Sequence, residues 1–203
     1  MVSLHFQQSR NKNGVNAFTR AATRPRDWQS LQPVLYSERM SQTVATRAEL
    51  DQKAGMRAPV SVFDVAQYIL DKQGSMTTWK LQKLCYYSQA WSLVWDDAPL
   101  FKERIEAWAN GPVVPALYEK HRGQFTLSRI GGHPEALDKD QRETVDAVLI
   151  TYGDKTSQWL SELTHAEAPW QNARTRGGLS LGERGNSEIT LDDMAEYYGG
   201  LVG

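Results

Sequence analysis

The stretch from Thr78 to Trp95 is the feature that most limits how this chain can fold. Read as a helix, it projects apolar side chains in nearly every direction around its axis: Leu81, Leu84, Cys85, Tyr86, Tyr87, Trp91, Leu93, Val94 and Trp95. A helix that is apolar around its circumference must be covered on several sides by other elements. The sequence therefore predicts a central helix over 78–95. Its polar exceptions are Lys80, Gln82, Lys83 and Gln89.

Capping signals predict further helices on both sides of the central one. Pairs three residues apart that suit a capping box occur at Ser61 and Asp64, Asp138 and Gln141, and Thr190 and Asp193. Together with stretches at about 113–121 and 156–163, they predict about six helices, the first stopped by Gly74. We expect only a short turn at 168–170 and one small β-hairpin near 99–108. The predicted fold is mainly α, a single compact helical domain around 78–95.

Charge divides the chain near residue 58. Residues 1–58 hold nine Lys/Arg and four Asp/Glu, a net of +5, and 59–203 hold 14 and 20, a net of −6. The first part is polar and lacks sustained periodicity, which is typical of segments that bury too little apolar surface to fold. It is interpreted either as a disordered basic tail or as an over-extended translation start before Met56. The folded domain is predicted at 59–203.

Composition also bears on the class of protein. The whole chain has a net charge of −1, so it lacks the global signature of a nucleic-acid or membrane binder. No apolar run approaches the ~18–20 residues of a membrane span, and we see no signal-peptide core at the N-terminus. A single cysteine, Cys85, fits a reducing compartment. We therefore expect a cytoplasmic protein with no membrane partner.

Residues that could carry catalysis or bind a metal are few. The four histidines show no ligand spacing, and Gly177, Gly178 and Gly182 match no phosphate-binding loop. Cys85 lies within the apolar helix, where a small core residue is expected. His165 and Glu167 look like a fragment of an acid–base or metal site, but a helix-terminal histidine near the last carbonyls is the favoured explanation. The sequence predicts no catalytic site, no metal and no cofactor.

The aromatic residues are the remaining candidates for function. Tryptophans of the folded part are expected mostly in the core, yet exposed aromatics concentrate at interfaces. Trp79 and Trp108 sit beside chain turns and are predicted surface anchors. Lys80, Lys83 and Arg174 are expected to flank them as a polar rim. With Pro112 and Trp170, these residues form the predicted partner-binding set.

Several ordered motifs resemble a known family. They are Leu81-Gln82-Lys83-Leu84, Tyr86-Tyr87-x-Gln89-Ala90-Trp91, Pro99-Leu100-Phe101, Glu106-Ala107-Trp108-x-x-Gly111-Pro112-Val113-Val114-Pro115 with Tyr118, Leu163-Thr164-His165-x-Glu167-x-Pro169-Trp170 with Ala173-Arg174, Ile189 and Tyr197-Tyr198. Together they resemble the Panacea domain, also called the SocA-like antitoxin domain, over about 60–198. Cys85 departs from the pattern, which usually has an aliphatic residue there.

The resemblance implies an antitoxin of a type II-like toxin–antitoxin system, commonly carried by phages, prophages and bacterial chromosomes. Members pair with unrelated toxins and neutralise them by direct protein–protein contact. At least one member instead acts as an adaptor that hands its toxin to a ClpXP-type protease. The family has no shared enzymatic activity. The expected partner is therefore a cognate protein toxin encoded nearby.

Two other classes of function stay open at this point. A DNA-binding transcriptional regulator of prophage or toxin–antitoxin origin could use residues 10–26 as an arm. The net charge of −6 on the folded part disfavours phosphate contact, so at most weak operator binding is expected. A hydrolase built around His165 and Glu167 is the enzyme alternative.

Overall fold

A computed structural model describes residues 60–202. The predicted tail, or over-extended start, at 1–58 lies outside this range. The seven described α-helices are α1 Val62–Gln73, α2 Thr78–Trp95, α3 Pro115–His121, α4 Lys139–Tyr152, α5 Ser157–Ala166, α6 Ala168–Arg176 and α7 Leu191–Gly199. The five described strands are β1 Met76–Thr77, β2 Ile105–Trp108, β3 Gly111–Val113, β4 Thr126–Leu127 and β5 Glu188–Ile189, with a 3-10 turn at Pro134–Ala136.

Helix α2 lies at the centre of the domain, and the predicted mainly α fold is confirmed. Its apolar side chains, from Leu81 to Trp91, are almost completely buried. Helices α1, α4, α5 and α7 all pack against it. The circumferential apolar pattern therefore marks the central helix, because each side of α2 meets a different neighbour. None of the helices in residues 60–202 is long and apolar enough to cross a membrane.

Three of the polar exceptions of α2, Gln82, Lys83 and Gln89, are buried because they satisfy backbone groups of other segments. The Gln89 side-chain oxygen accepts hydrogen bonds from the backbone N–H of Leu100 and of Phe101, at 2.9 and 3.0 Å. Its amide nitrogen donates to the carbonyl of Phe101 at 3.0 Å. One glutamine thus replaces the partners that a strand would otherwise supply to this loop.

Local end signals are confirmed at three helices. Capping boxes form at Ser61 with Asp64, Asp138 with Gln141, and Thr190 with Asp193. Gly74 ends α1 with a φ of 76°. Each box satisfies two backbone donors at the start of its helix, which is why short-range sequence pairs locate these ends.

The predicted hairpin lies later in the chain than expected. Strand β2 pairs with β3 across the turn at 109–110, so the hairpin covers 105–113 instead of 99–108. Phe101 makes only an isolated parallel bridge to Val60, since the side-chain oxygen of Gln89 accepts the hydrogen bond from the Phe101 N–H. The helix expected from residue 113 begins at Pro115 for the same reason, because Val113 belongs to β3.

Helix α6 is the additional helix that the sequence did not predict. Only a short turn was expected at 168–170. Pro169 stands in its first turn, a position where the missing N–H costs nothing. The following residues are mostly polar and give no apolar periodicity, so the pattern did not indicate a helix. Strand β5 completes an antiparallel sheet of order β3-β2-β5. This pairing brings the Gly-rich segment 177–187 beside the β2–β3 hairpin.

Candidate partner-binding groove

A groove with a volume of about 640 Å³ opens between α2, the β2–β3 hairpin, α3 and the segment before β5. Its lining comes from Thr78, Trp79, Gln82 and Lys83 on the first half of α2, Trp108, Ala109, Asn110 and Val113 of the hairpin, Tyr118 and His121 of α3, and the segments 122–124 and 184–186. We call this site the α2–hairpin groove. It is assembled from four separate parts of the chain.

Gln82 fixes the geometry between α2 and α3. Its side-chain oxygen accepts from the N–H of Val114 at 2.8 Å, and its nitrogen donates to the Val114 carbonyl at 3.3 Å. The same nitrogen lies 3.1 Å from Nε2 of His121. Val114 precedes α3 and has no side-chain cap of its own. The amide of Gln82 therefore anchors the start of α3 on the central helix.

Lys83 places a buried amine at the wall of the groove. The side chain is only 3% exposed, and its Nζ donates to the carbonyl of Pro112 at 3.0 Å. Burial lowers the pKa of Lys83 to about 7. None of the ion pairs among residues 60–202 includes this lysine. The groove therefore holds a buried amine that has no carboxylate partner within the described domain.

Gly111 makes room for this lysine. Its φ is 104°, and a Cβ at this position would lie 2.6 Å from Cε of Lys83. Such a separation is shorter than any carbon–carbon van der Waals contact. Glycine is thus required both by the backbone conformation and by the approach of the lysine side chain.

Aromatic and aliphatic side chains surround the mouth of the groove. Trp79 is 50% exposed, and the half-buried Trp108 packs edge-on against Tyr118 with ring centroids 4.8 Å apart. Phe125 is 76% exposed, and its carbonyl accepts from the N–H of Thr78, beside Trp79. Leu181, three residues before the lining residues 184–186, is 86% exposed. Large apolar side chains left in water around a groove are typical of a contact surface.

The charges on the groove wall are of one sign. Lys83, Arg122 and Arg184 line it, and no Asp or Glu is among its lining residues in the described domain. Arg122 forms an ion pair with Glu119 at 2.5 Å on the outer side. Because residues 59–203 carry a net charge of −6, an acid-free wall does not follow from the composition. The basic residues suit binding of an anionic group, and the aromatic residues suit binding of apolar side chains beside it.

Of the predicted partner-binding residues, three meet in the α2–hairpin groove. They are Trp79, Lys83 and Trp108. Lys80 points away from it, since its Nζ donates to the carbonyl of Gly153 at 2.6 Å, at the end of α4.

Lys83 and Arg174 were expected on the surface as part of a polar rim, and this expectation is wrong because both side chains are buried. Arg174 is 3% exposed and donates to the carbonyls of Ala107 at 3.0 Å and Glu183 at 2.9 Å. Its guanidinium also lies over the buried ring of Trp170. These long polar side chains can be buried because backbone carbonyls of the hairpin and the Gly-rich segment accept hydrogen bonds from them.

Trp170 and Pro112 are buried as well, in place of the exposed positions expected of contact residues. The indole nitrogen of Trp170 donates to the carbonyl of Trp108 at 2.9 Å. Pro112 lies in β3 opposite Ala107. Both residues hold the hairpin that carries Trp108, and they support the groove from within the domain.

Sequence reasoning missed Arg122, Phe125, Leu181 and Arg184 as residues of this surface. They lie in loops and turns and have no spacing that links them to Trp79 or Trp108 in the sequence. Only the pairing of β5 with β2 brings the segment 184–186 to the hairpin. No local signal could have indicated that contact.

His165 and Glu167 have separate packing partners. The His165 ring stacks on Trp170 with centroids 4.2 Å apart, and burial, aided by the charges of Lys83 and Arg174, lowers its pKa to about 4. Glu167 is buried and accepts from the hydroxyls of Tyr87 at 3.1 Å and Tyr198 at 2.7 Å. Neither residue lines the groove. This geometry favours structural roles for the pair.

The cysteine prediction is confirmed, since Cys85 is fully buried in α2 and burial raises the pKa of its thiol. Among residues 60–202, no cluster of three or more His, Cys, Asp or Glu is placed to hold a metal ion.

Comparison with known proteins bears directly on this site. Residues 81–171 match the family model described as Antitoxin SocA-like, Panacea domain. This central part of the chain is thus similar to the Panacea domain. The resemblance seen in the sequence motifs is thereby confirmed. The chain is also 29% identical over 136 residues to the protein named Antitoxin SocA of Caulobacter vibrioides (strain NA1000 / CB15N), which covers 58% of this chain and 72% of that protein. No solved structure matches this chain.

The Panacea match and the α2–hairpin groove overlap only in part. Gln82, Lys83, Trp108 and Tyr118 lie within the matched residues, whereas Trp79 and the segment 184–186 lie outside them. The groove is therefore built by residues within the match together with residues that flank it.

Proposed function

We propose that this protein is the antitoxin of a type II-like toxin–antitoxin pair and neutralises a toxin encoded nearby by binding it directly. The observation that carries the proposal is the exposed aromatic surface at the α2–hairpin groove, within a domain similar to Antitoxin SocA. Neutralisation needs only that the bound toxin cannot reach its substrate. A binding surface without a catalytic constellation suffices for that task.

The proposed contact surface has Trp79 and Trp108 as its anchors and Lys83 at its wall. Binding energy at interfaces is concentrated in a few residues, most often Trp, Tyr and Arg in desolvated positions. Trp79 gains most from burial because half of its surface is in water in the free domain. Pro112, Trp170 and Arg174 are proposed to act through the hairpin that they hold in place. Lys80 is proposed to lie at the edge of the contact.

Binding is proposed to take place in the cytoplasm, without a cofactor and without enzymatic activity of this chain. Delivery of the bound toxin to a ClpXP-type protease is a further step that the same surface would allow. The two outcomes differ in the fate of the toxin, which persists if binding blocks it and disappears if binding delivers it.

A growth assay tests the proposal. The neighbouring open reading frame is expressed inducibly in a bacterial host, with and without the full chain. We expect arrest by the neighbour alone and rescue by the pair, and an immunoblot of the toxin then separates blocking from delivery. A harmless neighbour, or a failed rescue by wild-type protein, would contradict the proposal.

Two matched variants locate the contact. Trp79→Ala removes the exposed indole at the groove and should abolish rescue while the protein stays folded. Ile150→Ala removes a more exposed apolar side chain, 74% exposed on α4, that does not line the groove. It should rescue as well as wild type. Full rescue by Trp79→Ala would mean that the exposed indole is not part of the contact surface.

The regulator alternative predicts a different measurement. Binding of the full chain to its own promoter should fall steeply with salt if phosphate contacts drive it. The net charge of −6 on residues 59–203 favours weak binding at most. Nanomolar operator binding at physiological salt would favour the regulator over the antitoxin.

A further inference from the structure

We propose that the α2–hairpin groove receives an acidic segment of the partner protein, with a carboxylate paired to Lys83 and a neighbouring apolar side chain packed on Trp79. This inference names the chemistry of the partner and rests on the proposed function. It is argued from the charge of the groove wall, from the hydrogen bonding of Lys83 and from the apolar rim.

The charge of the wall selects an anion. Lys83, Arg122 and Arg184 line the groove, and its lining residues in the described domain include no acid. Two carboxylates contact the wall from outside: Glu119 pairs with Arg122 at 2.5 Å, and Glu106 accepts from the indole of Trp108 at 2.7 Å. Lys83 and Arg184 are the lining residues that remain for a carboxylate, since neither takes part in a described ion pair.

Lys83 has hydrogen-bond donors that a carboxylate could accept. An ammonium group has three donors, and the hydrogen bond found for Lys83 uses one of them, to the carbonyl of Pro112. Buried charged groups are normally paired, yet no described ion pair includes this lysine. A carboxylate in the groove would supply the missing partner.

The apolar rim points to a protein segment instead of a small anion. Trp79, Phe125 and Leu181 are all at least half exposed, and they extend the surface beyond the groove. A phosphate-bearing metabolite held at Lys83 would leave much of this rim in water. A peptide segment with apolar side chains beside its acidic ones would cover both parts.

The chain's own first residues are not a suitable occupant of the groove. Residues 1–58 carry a net charge of +5. A basic segment facing Lys83, Arg122 and Arg184 would add like charges at close range, which is unfavourable. Charge complementarity therefore favours another protein as the source of the acidic segment.

A pair of labelled peptides tests the inference with the full chain. One alternates glutamate with leucine, and its match has glutamine in place of every glutamate. Fluorescence anisotropy should show that the glutamate peptide binds at least about tenfold more tightly, with a preference that shrinks as salt is raised.

Variants assign that preference to the groove. Lys83→Met should remove it, and Arg184→Glu should remove or reverse it. Arg184 is exposed, so this variant tests the proposal even where Lys83→Met fails to fold. Lys139→Met removes an exposed lysine on α4, outside the groove, and should keep the full preference.

Each result decides the matter. Equal binding of the two peptides, or no binding of either, overturns the proposal. Tighter binding of ADP than of the glutamate peptide at the same groove assigns the site to a small phosphate ligand and overturns it too. The measurement uses no toxin, so a failed growth rescue with an intact glutamate preference refutes the antitoxin function alone. Successful rescue without that preference refutes the acidic segment alone.

Discussion

Lys83→Met should make the domain more stable at neutral pH, although it removes a residue from the wall of the groove. The lysine is 3% exposed, and burial lowers its pKa from 10.5 to about 7. One unit of pKa corresponds to about 1.4 kcal/mol, so holding this side chain in the folded domain below pH 7 costs about 5 kcal/mol relative to high pH. Methionine has a similar length and no charge to desolvate.

The sign of the pH dependence follows from proton binding. Between pH 7 and 10.5 the unfolded chain keeps the Lys83 proton and the folded domain releases it. The unfolded state therefore binds more protons, and stability rises with pH across this window by at most about 1.4 kcal/mol per unit. The contribution is fully present above pH 10.5, is lost as the pH falls towards 7, and is flat below.

The net change combines this term with one lost hydrogen bond. Methionine leaves the carbonyl of Pro112 without its donor, which costs about 1 to 3 kcal/mol. At pH 7 the variant should therefore be more stable than wild type by about 1 to 3 kcal/mol. By pH 9 the lysine cost has fallen to about 2 kcal/mol, so the difference should be close to zero.

Urea unfolding of the full chain, followed by circular dichroism at pH 7 and pH 9, measures both quantities. Lys139→Met is the matched control, because that lysine side chain is 84% exposed and its change should stay within about 0.5 kcal/mol. A wild-type stability that does not rise with pH relative to Lys83→Met would refute the reasoning. It would show that Lys83 keeps its charge in the folded domain at little cost.

Three further substitutions test other parts of the structure. Trp108→Ala should weaken toxin binding by about 2 kcal/mol or more and also lower thermal stability, because the half-buried indole packs on a tyrosine of α3; unchanged binding in a folded variant would contradict this. Tyr198→Phe removes a buried donor to Glu167 and should lower the free energy of unfolding by about 1 to 3 kcal/mol, whereas an unchanged melting temperature would argue against the network. Gly111→Ala should destabilise more than Gly74→Ala, since both have positive φ but only the first Cβ would meet another side chain; calorimetry yielding equal losses would exclude the steric argument.

The fold was largely predictable because its signals are local. Capping boxes act over three residues, as at Ser61 and Asp64, and an apolar circumference identifies α2 within a single stretch. The errors arose where a distant side chain decides the backbone. Gln89 supplies hydrogen bonds to Leu100 and Phe101, so no strand pair is needed there.

The predicted residues that line the groove are two tryptophans and Lys83, and the burial of Lys83 was not predicted. Trp79 and Trp108 stood out because tryptophans beside turns are candidates for exposure. Lys83 and Arg174 look like surface residues in any sequence, and their burial depends on carbonyls of the hairpin that only the folded chain brings near. Arg184 reaches the groove through the pairing of β5 with β2, which no pattern within its own segment reveals.

The tyrosine contact between α2 and α7 cannot form during translation until α7 has been synthesised. The hydroxyls of Tyr86 and Tyr198 meet across a sequence separation of 112 residues. Ribosomes add about 5 to 20 residues per second, so α2 waits about 6 to 22 s after its own synthesis before α7 exists to cover it. During that interval the most apolar helix of the domain has one side open to chaperones, proteases and other nascent chains. Such transiently exposed apolar surface makes a nascent chain prone to aggregation until α7 has been synthesised.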